Sequence, residues 1–148
     1  MALKPRDIAL RAASAVVLEP AAVLATWAGG DWFCALVVAG AVLLAFEWAR
    51  MCAPNLWRPI GVSVALALVV AVIAAHVGQI SLALVLMVFG ALAAGLFART
   101  RGESLLDTAY GVLYLGWPCI LLIWLRDLHE VQGLYWTVLV FAVAWSAD

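Results

Sequence analysis

Apolar runs of roughly 16–21 residues, near the ~20 that a helix needs to cross the hydrocarbon of a bilayer, recur six times along this chain. Short polar breaks separate them. They cover about 12–28, 32–48, 59–76, 80–98, 105–125 and 133–148. No other feature constrains the fold as tightly. Where water is excluded, a spanning segment must satisfy its own backbone, and with this spacing a helix does so. Composition closes off the alternative of a soluble domain. The 148 residues are 68% hydrophobic and 11% charged, whereas a soluble domain is about half apolar and a quarter charged. A chain this short cannot hide so much apolar surface in one globular core. The expected fold is all-α, a polytopic transmembrane bundle of about six spans. No repeat, linker or low-complexity tract divides it.

The breaks carry recognisable helix chemistry. Gly29-Gly30-Asp31 reads as a tight turn, with Asp31 as a candidate N-cap for the second run. Pro59 suits the first turn of the third run. Ser104-Leu105-Leu106-Asp107 matches a capping box at the start of the fifth. The opening Lys4-Pro5-Arg6 and Arg11 before an apolar run raise the possibility of a signal peptide. Glu19-Pro20 inside the run, with no small-residue cleavage site after it, points instead to a retained helix.

Positive charge orients the bundle. With the N-terminus in the cytoplasm, Lys4, Arg6, Arg11, Arg50, Arg58, Arg99 and Arg101 all fall on the cytoplasmic side, and Arg126 alone lies outside. Six crossings return Asp148 to the cytoplasm. Trp48, Trp57, Tyr110 and Trp145 then mark the inner interface. Trp27, Trp32, Trp124, Tyr135 and Trp136 mark the outer one. The net charge of −1 implies no nucleic-acid partner. Cys34, Cys52 and Cys119 have no zinc spacing and read as packing residues. Cys34 and Cys52 sit at opposite ends of one span and cannot bridge within a chain.

Each polar residue has a structural reading beside a functional one. Glu19 in mid-span is either a cavity-lining group or a protonated residue facing another helix, and no partner for it is visible. Glu47 and Arg50 are three apart on a helix, which suits an interfacial ion pair or a metal or headgroup contact. Arg50, Arg58, Arg99 and Arg101 set topology, and they also attract anionic headgroups. Asp107 reads as part of the cap. His76 and His129 read as structural loop residues on the outer side. Tyr110, Gly111, Tyr114, Gly116 and Pro118 share one helix. There the small residues permit close approach, and Pro118 frees the carbonyl of Tyr114 and favours a kink. Asp148 ends an apolar run with no basic residue one turn back. It is either a water-facing helix end or the first carboxylate of a site.

A set of markers, taken in order, resembles the N-terminal part of bacterial phosphatidate cytidylyltransferase, the CDP-diacylglycerol synthase family. The markers are Leu10-Arg11-Ala12-Ala13-Ser14-Ala15, the Gly29-Gly30 turn, and Phe46-Glu47-Trp48-Ala49-Arg50-Met51. They continue with Gly111-Val112-Leu113-Tyr114-Leu115-Gly116-Trp117-Pro118, then Leu125-Arg126, and end with Trp145-Ser146-Ala147-Asp148. The resemblance implies a multi-pass enzyme of the bacterial inner membrane. It would transfer CMP from CTP to phosphatidate, a membrane lipid, with Mg2+ required. It also implies a metal- or CTP-binding role for Asp148. Glu47, Arg50, Arg99 and Arg101 are weaker candidates for phosphate or headgroup contact. The family's C-terminal signature, with its H-G-G and D-R-x-D elements, is missing from this sequence. The expectation is therefore an N-terminal transmembrane region, 1–148, of a larger enzyme, incomplete and without turnover by itself. The rival expectation is a small non-catalytic membrane protein, a scaffold or a transporter subunit. Oligomeric state stays open, a homodimer included.

Overall fold

A computed structural model describes residues 20–128 and 130–146, and these are helical nearly throughout. Helix α1 is described over 20–28. Then come α2 (Gly30–Cys52), α3 (Trp57–His76), α4 (Ile80–Thr100), α5 (Leu105–Asp127) and α6 (Glu130–Ser146). Helices α2 to α5 are each long and apolar enough to cross a membrane. Helix α6 is 17 residues, or about 26 Å at 1.5 Å per residue. Ala147 and Asp148 lie outside the described residues, as do Lys4, Arg6, Arg11, Glu19 and His129.

The connections explain the antiparallel order. Gly29 and Gly30 have φ of 66° and 49°, a left-handed pair that side-chain-bearing residues rarely adopt. They stop α1 and start α2 almost at once. Gly78 and Gly102, with φ of 79° and 83°, do the same after α3 and α4. The Ser104 hydroxyl accepts the Asp107 N–H at 3.2 Å, so the hydroxyl half of the expected capping box forms. Pro59 sits in the first turn of α3, where its missing N–H costs nothing. Helix α5 runs unbroken through Pro118.

Two expectations need correction. Asp31 is not an N-cap. The helix begins at Gly30, with Gly29 in the cap position and no side chain bonded there. That start places Asp31 inside the first turn, and its carboxylate instead meets His76 Nε2 at 2.9 Å. His76 is accordingly the last residue of α3, not a loop residue.

Packing follows small side chains. Helix α2 buries Val37, Ala41, Ala45 and Ala49, a stripe at four-residue spacing. Helix α4 buries Ala83, Met87, Ala91, Ala94 and Ala98. In lipid, helices associate through van der Waals contact, and small residues let their axes approach. Helix α3 is central, touching α2, α4 and α5. Helix α5 also packs on α2 and α4, and it carries α6 on its far side. Large side chains such as Leu66 and Phe89 point outward, about two-thirds exposed, as lipid-facing residues do. Cys34, Cys52 and Cys119 are free thiols.

Candidate functional site

The antiparallel order gathers the C-terminal ends of α2 and α4 and the N-terminal ends of α3 and α5 at one end of the bundle. Arg50, Arg58, Arg99 and Arg101 lie there, all exposed. Its scaffold starts in the last turns of α2. Phe46 and Trp48 flank Glu47 and point to opposite neighbours. The Phe46 ring lies over Gly61 of α3, where a Cβ would come within 2.5 Å of it. The Trp48 indole lies over Gly111 of α5, where a Cβ would overlap the ring. The Trp48 Nε1–H donates to the Asp107 carbonyl at 3.0 Å. Two aromatic residues on α2 thus seat on two glycines, one on each adjoining helix.

Trp48 is also one corner of a three-ring cluster. Its ring centroid is 5.9 Å from Tyr110 and 5.7 Å from Tyr114. Tyr110 and Tyr114, one helical turn apart, stack with centroids 5.7 Å apart and planes 19° apart. Offset ring pairs of this kind add about 0.5–1.5 kcal/mol beyond their burial. Both tyrosines are a little over half exposed, so the cluster forms part of the surface of the arginine-bearing end.

The second unit centres on Trp57, the first residue of α3. The Arg50 guanidinium carbon is 4.7 Å from its ring centroid, and that of Arg58 is 5.1 Å away. Phe46 meets the same ring edge-on at 6.1 Å and 78°. A third guanidinium, from Arg101, lies 5.0 Å from the Phe97 ring. A cation held against a ring keeps its N–H fork available for carboxylate or phosphate oxygens. Among the described residues, Arg50 alone of these arginines has a carboxylate partner, Glu47, in a close (i, i+3) ion pair. This end therefore presents anchored positive charge.

The sequence-derived candidates separate here. Glu47 and Arg50 come together with each other, as the ion-pair reading expects. Arg99 and Arg101 belong to the end of α4, which packs on α3 and α5, and no contact joins them to Glu47 or Arg50 among the described residues. Asp148 lies outside the described residues. Among those described, no group of three or more His, Cys, Asp and Glu side chains could hold a metal ion. Sequence reasoning missed the clamp on Trp57 and the Trp48–Tyr110–Tyr114 cluster. The four-residue spacing of the two tyrosines was visible. The seat of Trp48 beside them depends on which helix α2 packs against.

The opposite end is built differently. Arg126 Nε donates to the Thr26 carbonyl at 2.8 Å, and its Nη2 donates to the Trp27 carbonyl at 3.3 Å. These are orphan carbonyls at the end of α1. Gly29 leaves room for this guanidinium, and Gly133 of α6 lies against the Arg126 carbonyl. Arg126 thereby joins α1, α5 and α6.

Comparison with known proteins adds the chemical class. No curated protein and no solved structure matches the chain. A model described as "Cytidylyltransferase family" matches residues 9–148. That match takes in the Phe46–Met51 segment with its aromatic seats, the Gly111–Pro118 stretch that receives Trp48, and the terminal Trp145–Asp148. Nucleotidyl transfer of the CTP type is the activity that this relationship supports, on a chain with four helices long and apolar enough to cross a membrane. On a match spanning nearly its whole length, the chain belongs to the cytidylyltransferase family.

Proposed function

We propose that the chain serves phosphatidate cytidylyl transfer, in which CTP and phosphatidate give CDP-diacylglycerol and diphosphate. The observation that carries this reading is the family match over residues 9–148 on a chain with four membrane-length helices. A cytidylyltransferase embedded in a bilayer meets a water-soluble triphosphate only at the headgroup level. A lipid acceptor with a terminal phosphate meets the same level from the other side. The arginine-bearing end supplies positive charge there. In this reaction a phosphate oxygen of the lipid attacks the α-phosphorus of CTP, and diphosphate leaves. Positive charge near the attacking and leaving oxygens stabilises both. Arg50, Arg58, Arg99 and Arg101 can receive phosphate oxygens from lipid or nucleotide. In this reading Asp148 contributes the carboxylate to a Mg2+–CTP site, and Mg2+ with its preference for carboxylate and phosphate oxygens supplies charge neutralisation when bound. The membrane in question is the bacterial inner membrane.

The test is CTP-dependent formation of CDP-lipid in membranes that contain the full-length gene product, with phosphatidate as acceptor. Asp148→Ala should abolish the product while leaving the amount of inserted protein unchanged. Wild-type turnover in that variant would remove Asp148 from the site. Product formed equally well from diacylglycerol would remove phosphatidate as the acceptor.

A further inference from the structure

Between α3 and α4 runs an open groove of about 620 Å3. Pro59, Val62, Leu66 and Val70 form one wall, and Leu86, Phe89, Ala93 and Phe97 form the other. Its floor is the close approach of Ala67 to Gly90, where a Cβ on Gly90 would stand 2.7 Å from that of Ala67. The lone polar side chain along it is Ser63, whose hydroxyl donates back to the Ile60 carbonyl at 2.8 Å. The groove therefore offers an occupant no free hydrogen-bonding group along its length. From Pro59 to Val70 it runs about 16 Å at 1.5 Å rise per residue. That is close to half of the ~30 Å hydrocarbon core, the depth of one leaflet.

Its two ends are chemically unlike. The Pro59–Phe97 end opens among cations. Arg58 immediately precedes Pro59, and the Arg101 guanidinium lies 5.0 Å from the Phe97 ring that lines the groove. Among the described residues neither arginine has a carboxylate partner, and both are exposed. The other end stops in mid-bundle, at Val70 and Leu86. Three smaller apolar grooves lie elsewhere, along α4–α5, α5–α6 and α1–α6, and each reaches toward the Arg126 end.

The geometry points to a bound anionic glycerophospholipid, with one acyl chain in the α3–α4 groove and its phosphate between Arg58 and Arg101. A neighbouring transmembrane helix would need a contact face across the whole core, and this groove spans half of it. An acyl chain needs one leaflet of apolar trough, and its headgroup needs counter-charge at one end only. Both are present. The site needs neither CTP nor turnover, so it stands whether or not the lipid it holds is the one that reacts.

Native mass spectrometry of the detergent-solubilised protein tests it, with phosphatidylglycerol and phosphatidylcholine of matched chains added in turn and no CTP present. One phosphatidylglycerol per chain should be retained, and phosphatidylcholine, which carries the same phosphate together with a choline ammonium that the two guanidinium groups repel, should be retained about tenfold less. The double variant Arg58→Gln, Arg101→Gln should remove that preference. Ala93→Phe, which fills the exposed wall, should lower retention of both lipids. Equal retention of the two lipids by the unaltered protein would overturn the headgroup assignment. Unchanged retention in Ala93→Phe would overturn the groove. A species of twice the chain mass that disappears in Ala93→Phe while lipid retention does not change would show a second copy on this face and defeat the proposal. Both sets of substitutions are at exposed positions, and a circular-dichroism melt matching that of the parent confirms that each variant is folded.

Discussion

The two ends of the bundle hold their arginines for opposite purposes. At one end Arg126 is turned inward. Its guanidinium closes the carbonyls of Thr26 and Trp27, and its own backbone carbonyl lies against Gly133 of α6. At the other end Arg50, Arg58 and Arg101 lie on aromatic rings at the surface, and among the described residues only Arg50 has a carboxylate partner, Glu47. The same residue type is a structural tie where its donors meet backbone and an anion-facing group where they do not. Charge counting along the sequence separates the two ends by number. The structure separates them by what the guanidinium does.

The largest effect expected from this contrast is all-or-none. If the arginine-bearing end lies in the cytoplasm, as the positive-inside rule requires, a single cysteine introduced by Glu103→Cys into a cysteine-free background should react with an impermeant maleimide only after the membrane is opened. Labelling in intact cells would reverse the bundle and place the proposed nucleotide site on the wrong side of the membrane.

Next in size is the seat of Trp48. A methyl group at Gly111 overlaps the indole, and overpacking of a well-fitted contact costs about 1–3 kcal/mol. Gly111→Ala should lower the unfolding free energy in mild detergent by that amount. In a Trp48→Ala background the same change should cost much less, because the overlapping ring is gone. Additive losses would show that the α2–α5 contact is not organised by this pair. The outcome matters for the arginine-bearing end because Trp48 fixes the last turns of α2, and with them Glu47 and Arg50.

The helices and their order were legible in the sequence because each break carries a chemical signal of its own. Ser104 caps α5, Gly29 and Gly30 take left-handed conformations, and Pro59 falls in a first turn. The grouping of Arg50, Arg58, Arg99 and Arg101 at one end was legible too, since short loops force antiparallel neighbours. What was not legible depends on the rotation of one helix against the next. Asp31 has the chemistry of an N-cap, but a start two residues earlier carries it past that position, and it meets His76 across the α2–α3 interface. Phe46 and Trp48 are an ordinary aromatic pair in the sequence. Their glycine partners lie on α3 and α5, and nothing local in α2 announces them. The α3–α4 groove is likewise invisible until Ala67 and Gly90 are brought together.

The smallest effects give the sharpest reading of the two ends, because they compare arginine contacts directly. Arg126→Ala removes a 2.8 Å charge-assisted bond and a longer second one to carbonyls at the end of α1. Bonds to charged groups are worth about 1.5–3 kcal/mol, so a loss of about 2 kcal/mol is expected in an equilibrium unfolding measurement. Glu47→Gln breaks an ion pair whose side chains are 51% and 64% exposed, and exposed helical pairs are worth about 0.3–0.5 kcal/mol. Its loss should fall below about 0.5 kcal/mol by the same measurement, and Arg50 should keep its place over Trp57. The functional sign is expected to differ as well. Arg126→Ala lowers the amount of folded protein, whereas Glu47→Gln makes the exposed end more positive and should raise its affinity for anionic vesicles at low salt, an advantage that salt then erases. Equal destabilisation by the two substitutions would mean that the Glu47–Arg50 pair ties the fold together as Arg126 does, and the distinction between a closed end and an anion-facing end would fail.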